Sequence, residues 1–245
     1  MNYEGYYFSL KERVVYISGY ITVCIIVSYL FYDNVLMVLP MLAGVGYFLK
    51  QVKKEKILAR KKQLSREFVD TLASVSTALG AGYSIENAFL EAKQDILTLY
   101  GEKSYMASEL FILKEQLALN MTMEEYFHDF SKRASCEDIT DFCTVFAAAK
   151  KGGGQFHRII QRCIEVLKVR NETEKEIDAV LSGKKMEQKI MSFIPFVFVF
   201  YMRLTSKSYL AVFYHNPAGI VFMTVCLAIY LWAYRLSQKI VAISV

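Results

Sequence analysis

Several residue groups in this chain have types and spacings that could do chemistry. Gly152-Gly153-Gly154 is the first, because glycine-rich turns let backbone N–H groups cradle phosphate. A nucleotide-binding loop needs G-x-x-x-x-G-K-[ST] between a strand and a helix. Here a helical pattern precedes the glycines and Gln155-Phe156 follows, so they read as a turn between helices. Gly183-Lys184-Lys185 fails the same test. His128, His157 and His215 form neither H-x-x-x-H nor H-E-x-x-H, the spacings that place two imidazoles on one metal. Glu124-Glu125 and Glu137-Asp138 stand at expected helix starts, where the backbone dipole favours acids without any catalytic role. The cysteines are Cys24, Cys136, Cys143, Cys163 and Cys226; no C-x-x-C occurs, and they read as free thiols packed in helices. No G-x-S-x-G elbow occurs. The expectation is a protein that is not an enzyme, with no catalytic residues, no metal site and no cofactor.

The elements that carry these residues are set by hydropathy. Apolar residues make up 54% of the chain, above the ~45–50% of soluble domains, and the excess lies at the two ends. Val14 to Tyr32 is 19 residues without a charge, ~28 Å as a helix, enough to cross a hydrocarbon core. After the break at Asp33-Asn34, Val35 to Leu49 is uncharged up to Lys50 and reads as a second, short span. Ile190 to Met202, containing Pro195, and Ala218 to Tyr234, with Trp232 and Tyr234 as interface aromatics, read as a second hairpin. None of these runs has an internal Asp, Glu, Lys or Arg, which argues for anchors rather than an ion path.

Between the hairpins the sequence turns polar. Lys50, Lys53, Lys54, Lys56, Arg60, Lys61 and Lys62 form a basic run interrupted only by Glu55. A nucleic-acid patch is one reading of it; an anchor at an anionic membrane surface is the simpler one, so no nucleic-acid partner is expected. By the positive-inside rule this run is cytosolic, and counting spans puts both termini and the central domain in the cytosol. Arg203 and Lys207 would then lie in an external loop, against that rule.

Residues 63–189 show helical spacing almost throughout, as in Phe68, Leu72, Val75 and Leu79, or Ile139, Phe142, Cys143 and Phe146. Gly80-Ala81-Gly82-Tyr83 should end one helix and Ser84 cap the next. Asn120 should end another, and Thr122 with Glu125 should form a capping box. The expected fold is all-α, with about four transmembrane helices and a cytosolic bundle of about six. Its parts are an N-terminal hairpin (1–49), a basic linker (50–62), a helical domain (63–189) and a C-terminal hairpin with a short tail (190–245).

The order of these motifs resembles a known family. Leu79 to Phe89, around Gly82, looks like the first turn of the type II secretion system F domain. Ala147 to Phe156, around Gly152 and Gly153, looks like its second. Pro195 in the following span and the closing segment 238–245 add to the likeness, which covers roughly residues 50–245. The arrangement is most similar to the tight-adherence (Tad/Flp) pilus platform proteins TadB and TadC, with one F domain between two pairs of spans. The resemblance implies a multi-pass subunit of the cytoplasmic membrane. Its implied partners are a secretion ATPase, a second F-domain platform protein and a pilin or pseudopilin, in a homo- or hetero-oligomer. A membrane-tethered signalling or scaffold protein with a helical interaction domain is the alternative.

Overall fold

The computed structural model describes residues 3, 5, 8–34, 37–151, 156–206, 214 and 216–241. Every regular element among them is helical: α1 (Leu10–Tyr32), α2 (Val38–Leu42), α3 (Val45–Gly80), α4 (Ile85–Tyr100), α5 (Tyr105–Ala118), α6 (Met123–Ala134), α7 (Glu137–Lys151), α8 (Phe156–Thr205) and α9 (Pro217–Val241). The chain divides into two compact units. Residues 1–7 and 53–174 form the first, and residues 8–52 and 175–245 the second. α3 and α8 each contribute residues to both.

The first unit is built on an aromatic core. Phe127 on α6 packs edge-on against Phe146 at 4.7 Å, Phe89 at 5.3 Å and Phe142 at 5.5 Å. Phe68 from α3 meets Phe142 at 5.4 Å, and Tyr126 stacks on Phe130. Such pairs add about 0.5–1.5 kcal/mol each to the burial of their area. The core draws on the six helices α3 to α8, at the i, i+3, i+4, i+7 positions that the sequence pattern marks.

The helix ends follow local chemistry. Ser84 caps α4 by accepting from the Asn87 N–H, and Thr122 and Glu125 form a reciprocal capping box on α6. α3 ends in a Schellman turn: Tyr83 N–H donates to the Ala78 carbonyl, Gly82 N–H to that of Leu79, and Gly82 takes φ +92°. α5 ends the same way, with Asn120 at φ +60° and Met121 N–H bonded to the Gln116 carbonyl. Asn is the commonest substitute for glycine there, because its short polar side chain tolerates the left-handed region.

The second unit holds a much smaller core, chiefly Val27, Leu30, Phe31 and Tyr32 of α1 with Met223 and Leu227 of α9. Phe196 of α8 packs on Phe31 at 6.1 Å and on Tyr230 at 5.2 Å. Pro195 lies inside α8 and removes the N–H that would serve the Met191 carbonyl; in the same turn the Tyr230 hydroxyl donates to the Ser192 carbonyl at 2.7 Å. Two helices, Leu10–Tyr32 and Ala218–Ile240, are long and apolar enough to cross a membrane.

The expected second span does not form one helix. It is divided between α2 and the start of α3, with Gly44 at the joint. A Cβ on Gly44 would lie 2.6 Å from the Tyr20 hydroxyl, which itself donates to the Met41 carbonyl at 2.9 Å. The expected third span is the last third of α8 rather than a separate helix. The basic segment 50–62 is helical throughout, since all of it lies within α3. A change from apolar to charged residues alters which solvent a helix suits, not whether the backbone stays helical.

Candidate functional site

Most of the residues singled out from sequence hold helices in place. Gly82 sits at the turn after α3, where an added Cβ would meet no atom within 4 Å, so its positive φ alone selects glycine. Gly152 and Gly153 lie outside the described residues. The basic run divides in two. Lys50, Lys53, Lys54 and Lys56 are exposed, whereas Arg60, Lys61 and Lys62 are half-buried. Arg60 donates to the Gly5 carbonyl and covers the Tyr105 ring, and Lys61 donates to the Ser135 carbonyl at 3.0 Å. Those cations are engaged by the first unit itself.

Two buried carboxylates, neither of them marked by the sequence pattern, organise that unit. Glu67 on α3 is fully buried. It accepts from Gln63 at 2.8 Å, from the Ser104 hydroxyl at 2.8 Å and from the Met106 N–H at 2.9 Å. Ser104 in turn accepts from the Ala107 N–H, so a carboxylate on one helix completes the N-terminal cap of another, α5.

Glu109 on α5 is equally buried and meets Arg133 of α6 through two bonds, 2.7 and 2.9 Å. The Tyr3 hydroxyl donates to it at 2.9 Å, and the Tyr126 hydroxyl donates to its backbone carbonyl at 3.0 Å. Tyr3 is itself fully buried, edge-on to Tyr105 at 5.8 Å, with its N–H on the Arg133 carbonyl. Burial and the neighbouring Glu109 charge push the Tyr3 phenol well above its ordinary value. Burial does the same for Tyr126. For Arg133 burial opposes the charge, but the bonds to Glu109 and Asp129 prevail and raise its proton affinity. The group is a bidentate ion pair closed over by an N-terminal tyrosine. Nothing in the spacing of Tyr3, Glu109 and Arg133 signals this; only a buried acid in an amphipathic pattern, at the inward position of α5, could have hinted at it.

A cleft of about 270 Å³ between α6 and α7 gathers Glu124, His128 and Cys143. These are residue types that can catalyse, and two of them, Cys143 and Glu124, are held by their surroundings. Burial pushes the Cys143 thiol up to about 12, which suppresses the thiolate. Glu124 is tied to Lys150; burial works to raise its proton affinity, and the Lys150 bond overcomes that and lowers it. Among the described residues no group of three His, Cys, Asp or Glu side chains is placed to hold a metal.

In the second unit the apolar surface itself is the conspicuous feature. Phe193, Ile194, Val197, Phe198 and Tyr201 of α8 line an open groove of about 710 Å³ with almost wholly carbon walls. On α9, Phe222, Ile229 and Trp232 are also exposed. Soluble surfaces rarely present apolar patches on this scale unless something covers them. At one end of this unit Arg203 bonds Asp33 and the Tyr29 carbonyl, and its guanidinium lies 3.7 Å from the centre of the Tyr29 ring.

No family model, curated protein or solved structure matches this chain.

Proposed function

We propose that the chain is a platform subunit of a type IV pilus-like (Tad/Flp) or type II secretion assembly machine in the cytoplasmic membrane. In this reading the second unit is the membrane part. α1 and α9 span the bilayer, the segment from Met37 through Leu49 and the last third of α8 complete a four-span arrangement, and both termini and the first unit are cytosolic. A secretion ATPase would act on the first unit, and the movement would reach pilin or pseudopilin at the membrane.

The observation that carries this reading is the continuity of α3 and α8. Each runs without a break in helical backbone from residues of the apolar-surfaced unit to residues of the packed unit. Helical rods transmit twist and translation better than flexible linkers do. The lack of a charged path through the apolar helices and the unreactive state of Cys143 fit a mechanical role as well.

The test is to tag the full-length protein in its native cells, solubilise it gently and identify what co-purifies. Recovery of a secretion ATPase together with a second F-domain protein is the expected result. An intact complex that contains neither would transfer the chain to the membrane-scaffold reading.

A further inference from the structure

Two grooves flank the start of α8 in the first unit, and they share Arg158 and Arg162. The groove toward α7, about 530 Å³, has nearly all-carbon walls formed by Val145, Ile159, Cys163, Val166 and Leu167. Val166 is 57% exposed and Ile159 37%. The groove toward α3, about 580 Å³, is polar and includes Ser76, Thr77, Gln161, Lys168 and the acid Glu165. Ile159, Cys163 and Val166 follow i, i+4, i+7, so the apolar strip runs along the axis of α8. From Arg158 to Arg170 this face is ~18 Å long, about three helical turns.

The charges on this face are unequal. Arg158 and Lys168 have no carboxylate partner among the described residues, and Arg162 has only Glu165, at 3.7 Å. The Arg162 side chain is 79% exposed. Arg170, by contrast, is surrounded by Glu137, Asp138, Asp141 and Glu174. Asp141 at the edge of the apolar groove is thus already matched, and with Glu165 set against Arg162 the charge left over along this face, from Arg158 and Lys168, is positive.

We propose that this face is the docking site for an amphipathic helix of another protein, with one edge of its apolar stripe lined by carboxylates. The apolar stripe fills the α7–α8 groove, ridge into groove. The carboxylates along that edge meet Arg158 and Arg162 and reach toward Lys168 and the Ser76 and Thr77 hydroxyls. A basic helix would bring like charges onto the arginine ridge and is excluded by it. A second copy of this face is disfavoured on the same ground. All these residues lie in the first unit, so the site stands independently of the membrane reading.

The experiment uses full-length protein in phosphatidylcholine nanodiscs and two labelled 16-residue helical peptides. One has a leucine stripe bordered by glutamates, and the other has lysine at each glutamate position. Fluorescence anisotropy should show the glutamate peptide binding about tenfold tighter or more. The pair Arg158→Glu with Arg162→Glu should reverse the preference, and Val166→Asn should weaken both peptides. Lys168→Glu should reduce binding of the glutamate peptide alone, to a smaller degree. Lys114→Glu, an exposed reversal on α5, should change nothing. A photo-crosslinker on the peptide should label α7 and α8. Equal binding of the two peptides, binding of neither, or an unchanged preference in the arginine reversals would overturn the proposal. So would a dimer of the protein that Val166→Asn dissociates, which would give the face to a second copy.

Discussion

The two units treat the same residue types in opposite ways. Phe68, Phe89, Phe130, Phe142 and Phe146 in the first are almost wholly buried, while Phe193, Phe198, Phe222 and Trp232 in the second are more than half exposed. Polar side chains reverse as well. The first unit buries Glu67 and Glu109 and satisfies each with several donors, whereas the second presents carbon on its outside. Burial of apolar area is worth about 25 cal/mol per Å² in water, so the first arrangement is what an aqueous solvent selects. The second gains nothing from water and is stable where lipid or protein covers its surface.

The largest expected effect strikes the ion pair. Arg133→Met leaves Glu109 buried without its cation and should cost the first unit about 3–5 kcal/mol. Hydrogen exchange should show α5 and α6 opening while α1 and α9 keep their protection. Equal loss in both units would break the contrast between them.

A matched pair of truncations sharpens it. Phe127→Ala empties the centre of the aromatic core and should cost about 3–5 kcal/mol. Phe198→Ala, at a side chain 61% exposed, should change the stability of the isolated protein by no more than about 0.5 kcal/mol. Thermal unfolding in one detergent measures both, and similar costs would show that the exposed face is packed after all.

Tyr3→Phe removes one donor from buried Glu109 and should cost about 1–2 kcal/mol. It also has a pH signature. The folded state raises the Tyr3 proton affinity above the ordinary value of 10.0. The folded chain therefore holds a proton that the unfolded chain releases above that pH. This contribution is whole below pH 10 and is lost as the pH rises through the folded value. In alkaline denaturation the variant should show a shallower loss than wild type, the remainder coming from other groups whose proton affinity burial raises, among them Tyr126, Tyr100, Cys136 and Cys143. An identical slope would mean that Tyr3 ionises at the same pH in the folded and the unfolded chain, so that its proton affinity is not raised by the core. A loss of about 1 kcal/mol is expected at Gly82→Ala, from the positive φ alone. A loss of several kcal/mol there would point to a steric role that the open space around Gly82 does not support.

What the sequence made legible was local. Ser84, Thr122 with Glu125, Asn120 and Gly82 specify helix ends through bonds to residues at most five positions away, and the amphipathic spacing marked most of the aromatic core. What it hid was long-range or continuous. Tyr3 meets Glu109 across 106 positions, with no periodic cue. Glu67 carries no cue of its own in the sequence, yet it completes the cap of a neighbouring helix through Ser104 and the Met106 N–H. The lengths of α3 and α8 were hidden for a different reason. The sequence divides where composition changes, at Lys50 and near Lys189, yet neither place holds a residue that stops a helix. Pro195, which does disfavour one, is accommodated inside α8.

Arg203 has one more consequence. Taken as a bare cation beyond the third apolar run, it argues against the orientation that the basic stretch from Lys50 to Lys62 favours. Bonded to Asp33 and laid over Tyr29, it adds no net charge to that end of the unit. On the platform reading, the folded hairpins present a neutral clasp to the far side of the bilayer. The pairing does not change how the chain is oriented, which follows the count of basic residues rather than net charge; what it supplies is a tie between the end of α1 and the end of α8 on that side.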